Sequence, residues 1–144
     1  MIVRELMTGA VITAPPRMPI LEARSLMIKE RMRHLPVTDA AGRLLGIITD
    51  RDVRLNLPSQ ATSLSVWEIN HLLSKLTVEE VMTQGVITVG PDRPARDAAE
   101  LMVEHQIGAL PVVEDGKYLV GIVTETDMLR AFIRIGAPVG SRRP

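Results

Sequence analysis

The sequence predicts an α+β fold made of two β-α-β-β-α repeats packed with pseudo-two-fold symmetry. Three observations carry this reading. First, GIITDRDVR (Gly46 to Arg54) is rewritten as GIVTETDMLR (Gly121 to Arg130). Second, the offset of 75 between Gly46 and Gly121 persists upstream without a gap, so one supersecondary unit is used twice. Third, each copy alternates short β-branched runs with segments of helical spacing.

The elements follow in order. VRELMT (Val3 to Thr8) falls on VEEVMT (Val78 to Thr83), and VIT (Val11 to Thr13) on VIT (Val86 to Thr88), a short β-branched run that reads as a strand. Pro16 and Pro19 fall on Pro91 and Pro94. Pro19 and Pro94 suit the first turn of a helix, where a missing N–H is harmless. Ala23, Leu26 and Met27, and likewise Ala98, Leu101 and Met102, stand at i, i+3, i+4 on one helical face. LPV (Leu35 to Val37, Leu110 to Val112) is a second strand, and DAAG and EDGK are turns. LLGIIT and LVGIVT read as strands buried on both faces. A second helix begins near Thr49 and Thr124. A unit of about 55 residues is too small for a strong core of its own, so two units stacked face to face are expected to share one. The resulting organisation is repeat 1 over 1–55, a helical linker over 56–77, repeat 2 over 78–135 and a flexible tail over 136–144. In the linker, Ser65 and Glu68 have capping-box spacing. Val66, Ile69, Leu73 and Leu76 make an apolar stripe there, and Trp67 is expected to pack on its own chain or on a partner subunit.

Composition narrows the function. Lys plus Arg and Asp plus Glu are 17 each, so the formal charge is zero and no overall field draws nucleic acid or an anionic membrane. Aromatics are 2%, too few for a base-stacking platform. The chain has no cysteine, which excludes disulfides and thiolate metal sites. No apolar run reaches the roughly 18–20 residues of a membrane span, and the N-terminus does not read as a signal peptide. The expected location is the cytoplasm. The eight methionines fill gaps in a core short of aromatics.

The repeated T-x-x-D supports two readings. Thr49 can cap a helix and Asp52 can favour its dipole, with no ligand involved. The same helix start offers free N–H groups to a phosphate, and the threonine adds a hydroxyl. A carboxylate repels phosphate but suits a vicinal diol, the task an acidic residue performs on ribose in dinucleotide-binding folds. Aspartate is kept in both copies while the residues between change from Asp50-Arg51 to Glu125-Thr126.

Taken together, the MT opening, VIT, LPV and G-h-h-T-x-x-D in both halves resemble a pair of cystathionine-β-synthase (CBS) domains, a Bateman module, from Val3 to about Phe132. The linker and VEEVMT also resemble the stand-alone acetoin-utilisation (AcuB-type) subgroup. The resemblance implies a regulatory module that binds adenine nucleotides (AMP, ADP or ATP), or S-adenosylmethionine, in two clefts between the repeats. It assigns ribose to Asp52 and Asp127 and phosphate to Thr49 and Thr124. It places the base beside Ile12, Thr13 and Pro36, and beside Ile87, Thr88 and Pro111. Arg33 and His34, just before LPV, add charge for phosphate, and Arg51 stands beside Asp52. The second repeat has Gly108 and Ala109 in place of Arg33 and His34, so the two repeats offer a phosphate different charge.

Catalysis finds no support in these residues. His34, His71 and His105 do not share repeat positions and form no nucleophile or metal signature. The expectation is therefore a non-catalytic sensor with no cofactor or metal, a homodimer acting on an unidentified regulated protein. The rival is a structural dimerisation module whose clefts are filled by Met32 or Ile107. Arg142 and Arg143 in the tail read as solvated.

Overall fold

The computed structural model describes residues 1–58 and 63–136. The expected tail beyond Gly136, with Arg142 and Arg143, and linker residues 59–62 lie outside the described residues. In chain order the elements are α1 (Val3–Leu6), α2 (Ile20–Lys29), β1 (His34–Thr38), β2 (Leu44–Thr49), α3 (Asp50–Asn56), α4 (Val66–Leu73), α5 (Val78–Val81), α6 (Ala95–His105), β3 (Ala109–Glu114), β4 (Tyr118–Thr124) and α7 (Glu125–Gly136). Two two-stranded sheets form, β1 with β2 and β3 with β4. β1 and β2 are antiparallel, with His34 opposite Thr49 and Val37 opposite Gly46.

The predicted first strand of each repeat is reduced to one bridge. Ala14 pairs with Val37, and Val89 with Val112, both parallel. Pro15 and Pro16 follow Ala14, and Gly90 and Pro91 follow Val89; proline removes the donor that would extend the ladder. In β2 the consecutive residues Gly46, Ile47 and Ile48 are all buried, so both faces of the strand are covered there as expected, while Leu45 before them is exposed.

The chain forms two compact units, and they are not simply the two sequence repeats. Among the described residues, one comprises those of Ile12–Val86 with Lys117–Leu119; the other comprises Met1–Val11, Ile87–Gly116 and residues 120–136. Each repeat thus contributes its leading segment to the other repeat's unit. In the first-repeat unit, Val78 N–H donates to the Met18 carbonyl (2.9 Å) and Ile20 N–H to the Leu76 carbonyl (2.8 Å). In the second-repeat unit, Val3 N–H donates to Arg93 (2.9 Å) and Ala95 N–H to Met1 (2.9 Å). The Ile20 and Ala95 bonds occupy the first N–H groups of α2 and α6, and the Val78 and Val3 bonds those of α5 and α1. Neither α2 nor α6 has a side-chain cap, because Pro19 and Pro94 hold the capping position.

The exchange explains the cores. Buried residues form two clusters, where the sequence suggested one shared core. Val78 completes the cluster of Ile20, Ala23, Met27, Leu35, Val37, Ile48 and Val53. Val3 and Leu6 complete the cluster of Ala98, Met102, Leu110, Val112 and Val123. Each small unit gains the apolar surface it lacks from the other repeat's opening residues.

In the linker, Ser65 caps α4 by accepting the Glu68 N–H (3.1 Å). Leu73 is buried, and Ile69 and Leu76 pack beside it. Val66 is 75% exposed and leaves the expected stripe, because it sits in the first turn. Trp67 is 73% exposed and stacks on His71, with centroids 5.4 Å apart, so it does not pack into its own core.

Candidate ligand-binding site

β2 runs straight into α3, and β4 into α7, with a threonine at each junction. Thr49 is extended (φ −109°, ψ 164°) and forms a capping box. The Asp52 N–H donates to Thr49 Oγ1 (3.1 Å), and the Thr49 N–H donates to Asp52 Oδ2 (2.9 Å). The second repeat repeats this pattern: Asp127 N–H to Thr124 Oγ1 at 3.3 Å and Thr124 N–H to Asp127 Oδ2 at 2.8 Å. All four residues are half-buried. Oδ1 of each aspartate takes no hydrogen bond from a described residue, so each junction presents one carboxylate oxygen that the capping box does not use. The two boxes differ in one respect. The Thr124 hydroxyl donates to Asp127 Oδ2 (3.0 Å), whereas the Thr49 hydroxyl has no acceptor among the described residues.

Each unit gathers its own repeat's candidate residues. In the first-repeat unit His34 lies opposite Thr49 across the sheet, and the Asp50 N–H donates to the Arg33 carbonyl (3.0 Å). This holds Arg33 and His34 against the start of α3. Arg33 and Arg51 are exposed. Ile12 is 37% exposed, Thr13 is half-buried, and Pro36 is fully buried with its carbonyl accepting the Ala14 N–H (2.9 Å). In the second-repeat unit the Glu125 N–H donates to the Gly108 carbonyl (3.0 Å). Ile87 and Thr88 are half-buried; Pro111 is fully buried and its carbonyl accepts the Val89 N–H (3.1 Å). Met32 and Ile107 each pack against their own unit's core.

Two features escaped the sequence reading. One is the reason for the glycine in each phrase. A Cβ on Gly46 would meet Met82 Sδ at 2.6 Å and the Thr83 carbonyl at 2.7 Å; one on Gly121 would meet Met7 Sδ at 2.5 Å and the Thr8 carbonyl at 3.0 Å. The MT of each leading segment lies on the glycine and bonds the strand there, Thr83 with Ile47 and Thr8 with Ile122. The repeated pairing of MT with G-h-h-T was the available signal. The other feature is a groove of about 490 Å³ beside α2 and α3, lined by Arg24, Met27, Ile28, Arg31, Met32, Arg33, Asp50, Val53 and Arg54. Its arginines are scattered along the sequence.

Two α+β units in one chain, each with a threonine–aspartate box where a buried strand meets a helix, define a tandem-repeat module. Residues 3–59 and 78–134 match the CBS domain, and the chain belongs to that family. It is 36% identical over 91% of its length to an L-aspartate semialdehyde sulfurtransferase of Methanocaldococcus jannaschii, but spans only 23% of that protein. It is 35% identical over 88% of its length to the CBS domain-containing protein YhcV of Bacillus subtilis and spans 81% of that chain. Among solved structures it is similar to the CBS domain pair of protein MJ0100 in complex with 5′-methylthioadenosine and S-adenosyl-L-methionine, at 35% identity and TM-score 0.75, covering 92% of this chain and 95% of that one. A putative acetoin utilization protein (AcuB) from Vibrio cholerae matches at 30% identity and TM-score 0.79, over 100% and 98% of the two chains. CBSX2 in complex with AMP matches at 26% identity and TM-score 0.79, over 94% and 98%.

Proposed function

We propose that the chain is a non-catalytic regulatory module that binds an adenine nucleotide at each threonine–aspartate box. The observation that carries this is the repeated threonine–aspartate box, which at each strand-to-helix junction uses Oδ2 of the aspartate and leaves Oδ1 outside the cap. On this reading Asp52 and Asp127 accept the ribose hydroxyls, and Thr49 and Thr124 face phosphate. Arg33, His34 and Arg51 add charge in the first repeat. The base lies beside Ile12, Thr13 and Pro36, or Ile87, Thr88 and Pro111. The AMP complex of CBSX2 supports this chemistry. S-Adenosylmethionine is the second reading, supported by the ligands of MJ0100; both keep the ribose diol that the aspartates suit. The structural rival rests on the same boxes, because each already serves as a helix cap.

Thermal shift and calorimetry on protein purified empty, against AMP, ADP, ATP, S-adenosylmethionine and NADH, test the proposal. A ligand at 100 times its Kd should add about 2.7 kcal/mol of stability. No shift with any of them favours the structural module.

We also propose a cytoplasmic homodimer whose output is its own assembly or a partner protein. Leu129, Phe132 and Ile133 on α7 are 62%, 74% and 66% exposed, an apolar face that suits a second copy. Light scattering at micromolar concentration should show a dimer, and Phe132→Glu should return monomer. A monomeric native protein, with and without ligand, rejects it.

A further inference from the structure

The arginine groove of the first repeat lies apart from its threonine–aspartate box. Its lining includes neither Thr49, Asp52 nor His34, and it follows α2 and the side of α3 that carries Asp50, Val53 and Arg54. Met27 and Val53 are buried in its floor, and Ile28, 63% exposed, stands among the arginines. Arg24 and Ile28 are four residues apart on α2 and so share one face of it. Arg54 has Asp50 at 4.0 Å. Arg24, Arg31 and Arg33 are exposed and make no ion pair among the described residues.

The second repeat carries the opposite charge on the matching surface. At the offset of 75, Ala99, Gln106, Gly108 and Leu129 take the places of the four arginines. Glu104 takes the place of Lys29, and Glu100 that of Ser25. The backbone is retained: Arg31 and Gln106 share a left-handed conformation, with φ 53° and 54°. Residues 20–33 and 50–56 hold six Lys or Arg against four Asp or Glu; the matching 95–108 and 125–131 hold two against five. The two surfaces are therefore +2 and −3 in a chain whose formal charge is zero. Glu104 and Glu125 are exposed and make no ion pair among the described residues. Val103, at the position of Ile28, is 79% exposed, and Leu129, at that of Arg54, is 62% exposed.

We propose that the arginine groove seats the second-repeat helices, α6 and α7, of another copy of the chain, so that the homodimer pairs unlike repeats. Val103 and Leu129 then cover Ile28 and the apolar floor, while Glu100 and Glu104 meet the arginine rim. In a two-fold dimer this contact occurs twice, with the roles of the copies exchanged. Pairing like with like fails on charge. Two first-repeat grooves face to face would set arginines against arginines, and two α6 surfaces would set Glu100 and Glu104 against their own copies. Such juxtaposition suppresses the wrong register, whereas opposite potentials steer the right one; the apolar residues supply the burial. The pairing rests on the homodimer proposed from α7, and the test separates the two.

The native chain has no cysteine, so one introduced thiol reports on one place. Ile28→Cys and Val103→Cys stand at matched positions, both exposed, where a smaller side chain leaves the core intact. Each variant is treated alone with a short bismaleimide, and so is the pair co-expressed with one chain tagged to differ in mass. The expected product is a covalent dimer of one chain of each kind, with little from either variant alone. Dominant Ile28–Ile28 or Val103–Val103 crosslinks, or a dimer with no mixed crosslink, overturn the pairing and leave the homodimer standing. Charge reversal gives an independent reading by light scattering. Arg24→Glu/Arg31→Glu and Glu100→Arg/Glu104→Arg should each raise the dimer Kd at least about tenfold, because a two-fold dimer feels each reversal twice. Mixing the two variants should bring the Kd back to the native range, since each reversed face then meets the other. Native-strength dimers of either reversed variant alone overturn the pairing. A native chain that stays monomeric rejects the homodimer itself.

Discussion

Asp52 and Asp127 commit one carboxylate oxygen to their own helix and leave the other out of the cap, so one side chain has room for both capping and the proposed ribose contact. The two roles separate on mutation. Loss of a cap costs about 0.5–2 kcal/mol, which a folded domain survives. Loss of a hydrogen bond to a charged group is worth roughly 1.5–3 kcal/mol, at least tenfold in affinity. On the proposed function, Asp52→Ala should therefore lower Tm by a few degrees and weaken nucleotide binding at the first repeat at least tenfold while binding at the second is kept; calorimetry of Asp52→Ala and Asp127→Ala against AMP and ATP checks it. Unfolding with unchanged nucleotide affinity would leave the cap as the whole role. Gly46 belongs to the same scale. Its missing Cβ admits the Thr83 carbonyl at 2.7 Å, a backbone atom that cannot rotate away. Gly46→Ala should cost about 1–3 kcal/mol by overpacking, measured by denaturant titration, whereas Gly9→Ala, with no atom within 4 Å of its Cβ, should cost much less.

At the scale of elements, the longer helices and the paired strands were legible; the one-turn helices α1 and α5 went unread, and the expected VIT strand did not form. Periodicity located α2 and α6 because their apolar positions face one core. LPV and G-h-h-T became paired strands because β-branched residues meet across an antiparallel ladder. The VIT run has the same composition, yet the prolines that follow it end pairing after one bridge. The turn between β1 and β2 shows how local chemistry closes a hairpin. Asp39 accepts the N–H groups of Ala41 (3.0 Å) and Arg43 (2.9 Å) and the Arg43 Nε–H (2.8 Å). The Arg43 N–H lowers this carboxyl most; desolvation, next in size, raises it, and the Arg43 guanidinium and the Ala41 N–H lower it again, so it stays below its ordinary 3.8. A depressed carboxyl favours the closed turn above its unfolded pKa, and that benefit fades as pH falls through the lower folded value.

For the whole molecule, the exchange of leading segments gives a prediction that the order of the chain alone would misdirect. Removing residues 1–8 deletes part of the first sequence repeat. It should nevertheless loosen the second-repeat unit, because Val3 and Leu6 belong to the cluster of Leu110, Val112 and Val123, and Arg4 pairs with Asp92 (3.2 Å) and Glu114 (3.5 Å) there. Lost core side chains cost about 2–5 kcal/mol each, a large part of a domain's stability. Hydrogen exchange should rise over 95–124 and stay near native over 20–53; the reverse pattern would refute the exchange.

By itself the sequence determined the duplication, the helix faces, the paired strands and the threonine–aspartate junctions. These follow from spacing within a dozen residues, where backbone geometry converts periodicity directly into a face or a cap. Only the tertiary structure decided which leading segment completes which core, why each phrase needs its glycine, and that Arg24, Arg31, Arg33 and Arg54 line one groove. Those depend on contacts between residues far apart in the chain, and the two repeats carry nearly interchangeable MT segments. Composition cannot say which of two similar apolar segments fills a given gap; only the folded path of the chain does.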